Sequence, residues 1–140
     1  MPRQQGSSSL AFVLLLFSLG MLMLNGLQQQ LRQQQKAVAS ETALLKQYAD
    51  AASALAWGGK LRWQAVREWR CQQQDRQWRA CTVLTDKGET LMAAQGAAKA
   101  DQNPITLWRW GKLDDTRWRD VPHGWLDFCP LREAARCQLP

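Results

Sequence analysis

Apolar residues along this chain are gathered first into one solid block, then thin to a stripe, then alternate with polar residues in short runs. The block, residues 10–27, is eighteen positions long without a charge and is relieved only by Ser18, Gly20, Asn25 and Gly26. That is near the minimum for a helix spanning a hydrocarbon core of about 30 Å. With Arg3 and the initiator amine in front of the block, the positive-inside rule places the N-terminus in the cytoplasm and the C-terminal part outside.

Beyond the block the glutamines of 28–30 and 33–35 look like a low-complexity linker, but glutamine is a good helix former. Apolar residues also continue at helical spacing: Leu31, Val38, Leu45 and Ala52 stand seven apart, and Tyr48 and Leu55 follow the last two by three. The stripe predicts an amphipathic helix over 28–57, ended by Gly58-Gly59. Read as one element, 7–57 is a helix of about 76 Å at 1.5 Å per residue. A break at Asn25-Gly26 into two independent helices is the alternative.

From residue 58 the period shortens. Leu61, Ala65, Val66 and Trp69 stand at helical offsets and predict a short helix within 61–74. Residues 80–85 and 89–94 flank the turn Asp86-Lys87-Gly88 and read as a hairpin. Residues 105–113 then alternate, with Trp108 and Trp110 on one face and Ile105, Leu107 and Leu113 on the other. Asp114-Asp115 makes a turn, 116–121 returns with Trp118, and 122–140 reads as an irregular tail. The expected class is α+β: a long N-terminal helix packed on a small sheet of four antiparallel strands, with a stapled C-terminal tail.

At 140 residues the chain suits one anchoring segment and one small domain. The four cysteines, Cys71, Cys81, Cys129 and Cys137, form the even set expected of an exported domain. They allow three connectivities, of which Cys71–Cys81 and Cys129–Cys137 are favoured because each closes a short loop. Zinc is disfavoured, since neither pair has ligand spacing and His123 is the single histidine.

Motifs for catalysis, phosphate binding or metal binding are absent, so the sequence argues against an enzyme and calls for no cofactor. The formal charge is +6, and eight tryptophans lie in the chain, several beside arginine. Trp108, Arg109, Trp110 and Trp118 compose a candidate aromatic and basic surface for stacking single-stranded nucleic acid. The competing use is to fill a small core, with arginines on opposite strand faces.

The order Arg3, Gln4-Gln5-Gly6, Ser7-Ser8-Ser9 and then the apolar block differs from a secretory signal, whose cleavage site follows the apolar stretch. It resembles the signal of type IV prepilins and type II secretion pseudopilins, cut by prepilin peptidase after the glycine. The resemblance implies a leader over 1–6, cleavage between Gly6 and Ser7, methylation of the new N-terminus, and an anchor that survives maturation. It departs from the pattern at Ser7, where most members have Phe, and at Ala11, where most have Glu. In that family the acid is thought to pair with the terminal amine of the subunit assembled ahead of it. Its replacement by Ala11 implies a subunit that starts or caps an assembly, at a filament tip.

Residues 53–58 (Ser-Ala-Leu-Ala-Trp-Gly), the run Leu107-Trp108-Arg109 and the ending from Gly124 through Cys129 to Pro140 resemble the YgdB-like family of small prepilin-type proteins. This implies a minor pilin-like or pseudopilin-like subunit, single-pass in the inner membrane with a periplasmic head at 58–140. Its partners would be other minor pilins or pseudopilins, prepilin peptidase, membrane lipid and the inner-membrane assembly platform, contacted through small residues such as Ser18 and Gly20. A DNA-binding pilus component and a plain single-pass periplasmic protein are the alternatives.

Overall fold

The computed structural model describes residues 7–97 and 103–140. Two compact units divide the chain, 1–43 and 44–140. One helix, α1 (Ser7–Gly58), begins in the first and ends in the second, with no break at Asn25-Gly26.

The first unit is helix alone over its described residues. Hydroxyls inside it turn back onto the helix. Ser18 Oγ donates to the Leu14 carbonyl at 2.8 Å and Thr42 Oγ1 to the Val38 carbonyl at 2.8 Å. Such back-bonding lets Ser18 sit in an apolar segment without an unpaired polar group.

In the second unit, residues 44–58 of α1 lie on a five-stranded antiparallel sheet of β1 (Arg70–Gln74), β2 (Trp78–Leu84), β3 (Thr90–Gln95), β4 (Thr106–Asp114) and β5 (Arg117–Leu126), in the order β1-β2-β3-β4-β5. The α+β class, the 80–94 hairpin and the two faces of β4 match the sequence reading. The short helix expected within 61–74 is not formed. Residues 61–69 are irregular, and β1 follows them. Two facts explain the difference. Cys71 stands opposite Cys81 in register and is bonded to it, and Asp75 and Arg76 adopt positive φ, 33° and 63°, to make the tight turn into β2. Pairing with β2 and burial of Trp63 (2% exposed) outweigh a local helical preference that is only a weak prior.

The tail begins later than expected. β5 continues past Pro122 to Leu126, with a register shift opposite Arg109 and Gly111: Gly111 faces Asp120 and Arg109 faces Trp125. The extra residues 121–124 form an excursion in which His123 takes φ 58°. Gly124 closes it, because a Cβ there would stand 2.6 Å from the Trp110 carbonyl oxygen.

The sheet has an apolar layer on each face. On one, Ala51, Ala54 and Leu55 of α1 meet Ala80, Met92, Ala94 and Leu107, with Trp57, Trp78 and Trp118 around the edge. On the other, Val83, Leu91, Ala93 and Trp108 are covered by Trp69, Trp110, Leu126 at the end of β5 and the tail residues Leu131 and Leu139. The tail contains a short 3-10 helix (Ala134–Cys137) and is closed by Cys129–Cys137. It is also pinned by Trp69, whose Nε1–H donates to the Arg136 carbonyl at 2.8 Å. Each fully buried large side chain contributes about 1.5–3 kcal/mol of transfer free energy, so a layer resting on a tail matters in a domain this small.

Helix α1 stops where Gly58 was expected to stop it, but by another device. Gly88 is the glycine with positive φ among the described residues, so no left-handed cap forms at Gly58-Gly59. The last turn tightens through Lys60 N–H to the Trp57 carbonyl at 2.9 Å, and the buried Trp63 Nε1–H donates to the Gly58 carbonyl at 2.8 Å. Glycine is needed at 58 for proximity: a Cβ would lie 2.8 Å from Ala80 Cβ and 2.9 Å from Met92 Sδ.

Candidate functional site

Within the first unit the site is a surface. Every large apolar side chain from Leu10 to Leu27 is exposed, none by less than 48%. Water-soluble monomers rarely expose contiguous apolar patches beyond a few hundred Å², so this face is made for lipid or for other apolar helices. The helix is long and apolar enough to cross a membrane, with a mean hydropathy of 2.3 over its best window, and is compatible with a single-pass anchor. Val13, Leu16, Phe17, Gly20, Met21 and Leu24 line a shallow groove. Gly20 leaves a notch in it, with nothing within 4 Å of an added Cβ. Such notches let helix backbones approach closely.

Ala11 sits on the exposed helix surface. Without a carboxylate there, the segment has no charge to neutralise in a bilayer. Of the processing pair, Gly6 lies outside the described residues, and Ser7 is the first residue of α1.

The stripe read from Leu31 to Leu55 divides. Leu55 is buried and Ala52 packs at the margin of the first layer, whereas Leu31, Val38 and Leu45 are 56%, 60% and 70% exposed. At 100° per residue, Leu45 is about 120° round the helix from Ala51, which lies at the centre of the docked face. The sheet is met instead by Ala51, Ala54, Leu55 and Gly58, a face of small residues apart from Leu55. A hydrophobicity stripe ranks Leu above Ala and so marks the wrong side for a close helix–sheet contact.

The Arg/Trp residues do not share one face. Trp108, 4% exposed, belongs to the tail-covered layer, with Trp110 half-buried beside it. Trp118 packs against the α1 side and donates from Nε1 to Asp120 Oδ1 at 2.7 Å. Arg109 pairs with the same carboxylate, Nη2 to Oδ2 at 3.0 Å. Asp120 thus clamps a guanidinium and an indole that would otherwise be free for a polyanion.

The four cysteines form the two sequence-local bridges. Among the described residues no group of three His, Cys, Asp or Glu side chains could hold a metal. His123 is exposed on its excursion. Sequence reasoning missed Trp63 and Trp69 as hydrogen-bonding clamps and the edge-to-face pair Tyr48–Trp125, with ring centroids at 5.8 Å. The signal available was the number of indoles, each of which needs an acceptor when buried.

A family model described as "Protein of unknown function (DUF2509)" matches residues 15–137. No curated protein and no solved structure matches significantly.

Proposed function

We propose that this chain, which belongs to the family described as protein of unknown function (DUF2509), is a non-enzymatic, membrane-anchored assembly subunit of the prepilin type. Its mechanism is association. Residues 10–27 hold the chain in the inner membrane and later pack against the same segment of neighbouring subunits, while a rigid head outside the membrane carries the subunit's identity. Prepilin peptidase would cut between Gly6 and Ser7, and the new amine would be methylated.

The observation that carries this reading is one helix that is exposed throughout and uncharged over 10–27 and ends in an α+β head stapled by two disulfides. The bridges support an oxidising compartment for the head. Ala11 supports a place at the start or tip of the assembly, of either a type IV pilus or a type II secretion pseudopilus. A subunit lacking the acid makes no demand on a neighbour ahead of it. The DNA-binding alternative is weakened by the dispersal of the Arg/Trp residues to two sheet faces and by the clamping of Arg109.

The test is co-expression with prepilin peptidase, following the size of the membrane-bound chain. The proposal requires a shortening that depends on the peptidase and is blocked by Gly6→Leu. An unchanged size with active peptidase contradicts it.

A further inference from the structure

On the tail-covered side of the head, between the β2–β3 turn and the disulfide loop, lies an open cleft of about 390 Å³. That is within the range of small-ligand sites. Its apolar wall is the half-buried Trp110 indole with Pro130 and Leu131. Facing this wall are charges of both signs in equal number: Lys87, Arg132 and Arg136 against Asp86, Glu89 and Glu133. Asp86 is engaged by Arg67 at 3.5 Å. The other five side chains make no hydrogen bond or ion pair among the described residues.

From this we infer that the cleft binds a saccharide, a pyranose stacked on Trp110 with its hydroxyls held by the surrounding acids and guanidiniums. The requirement comes from hydrogen-bond inventory. Carboxylates only accept, and guanidinium and ammonium groups only donate. One ligand group that serves both is a hydroxyl, and a ring bearing several of them presents a C–H face to an aromatic wall. A phosphate or polyanion meets three carboxylates in the same space, and a purely apolar ligand strips water from charges without replacing it. A peptide added as a strand needs a run of free backbone, and parts of the backbone bordering the cleft are already used. Thr85 N–H donates to the Glu89 carbonyl at 2.9 Å, Gly88 N–H to the Thr85 carbonyl at 3.0 Å and Arg136 N–H to the Glu133 carbonyl at 3.0 Å.

The cleft is built by the Cys129–Cys137 loop, which gives that bridge a use besides stability. This site stands independently of the assembly role, since it involves no residue of α1.

The experiment is a titration of the full chain, held in a zwitterionic detergent without a sugar headgroup, with chitotriose, inorganic phosphate and a neutral tetrapeptide. Tryptophan indole N–H resonances are the readout. Chitotriose is expected to bind at about millimolar affinity, as open sites do, and to shift the Trp110 resonance. Because Trp110 also packs in the head, the deciding variants are the exposed Arg132→Ala and Glu133→Ala. Each is expected to weaken binding about tenfold, the loss of one charge-assisted hydrogen bond, with thermal unfolding unchanged. No shift up to about 20 mM chitotriose, at the weak limit of useful recognition, overturns the inference. So does binding that both variants leave intact, or a Trp110 response to phosphate or peptide instead.

Discussion

Replacing Cys129 and Cys137 by serine tests the claim that one of the head's two apolar layers exists because a tail is held over it. The bridge closes a loop of sequence separation 8, for which the chain-entropy relation gives about 2.5 kcal/mol at 25 °C. The tail it restrains covers Val83, Leu91, Ala93 and Trp108, which are at most 4% exposed. It is also fastened by the Trp69–Arg136 hydrogen bond, which contributes about 1 kcal/mol net, and by the packing of Leu131 and Leu139. Loss of the bridge should therefore detach the tail before the sheet unfolds. The assay is hydrogen exchange with mass spectrometry on the full chain in detergent, beside equilibrium urea unfolding. Exchange should accelerate over 126–139 and the unfolding free energy should fall by about 2–3 kcal/mol. The Cys71→Ser/Cys81→Ser variant is the control. That bridge joins strands already paired in register, so its removal should leave the tail protected. If the first variant exchanges like wild type over 126–139, or the control releases the tail equally, the two-layer account is wrong.

Other outcomes follow from single contacts. Thr82 Oγ1 is buried without a hydrogen-bond partner among the described residues, so Thr82→Val should stabilise the head by about 1 kcal/mol in the same urea assay. Gly58→Val should cost about 2 kcal/mol or more by overpacking, because even a Cβ at this position meets Ala80 and Met92 at under 3 Å. Asp120→Asn removes the charge that holds Arg109 while keeping an acceptor for Trp118. The pair is partly exposed, so the loss in urea unfolding should be under about 1 kcal/mol. Ala11→Glu places an acid in the uncharged segment, where it costs several kcal/mol unless paired. The variant should accumulate less in membranes when no partner subunit is co-expressed, as read by quantitative immunoblot.

Much of the fold could be read from the chain because two periods are clean. The uncharged run to Leu27 and the alternation of Leu107, Trp108 and Trp110 each admit one element, and both are formed. The misreadings share a cause. Residues 61–74 look helical locally, but the Cys71–Cys81 pairing is non-local information. Pro122 looks like a strand end, yet the 121–124 excursion lets β5 pass it and resume at Trp125. Apart from Leu55, the docked face of α1 consists of alanines and a glycine that carry little hydrophobic signal, while the stronger stripe through Leu31, Val38 and Leu45 faces outward. The site was legible as an exposed apolar helix, compatible with an anchor, and as cysteine pairs. The cleft at Trp110 was not, because it is assembled from a turn and a tail far apart in sequence.

The most direct measurement is the intact mass and N-terminal sequence of the chain extracted from membranes of cells carrying prepilin peptidase. The account predicts a methylated terminus at Ser7 with the apolar residues 10–27 still present. A chain that retains Met1, or one that has lost 10–27, contradicts it.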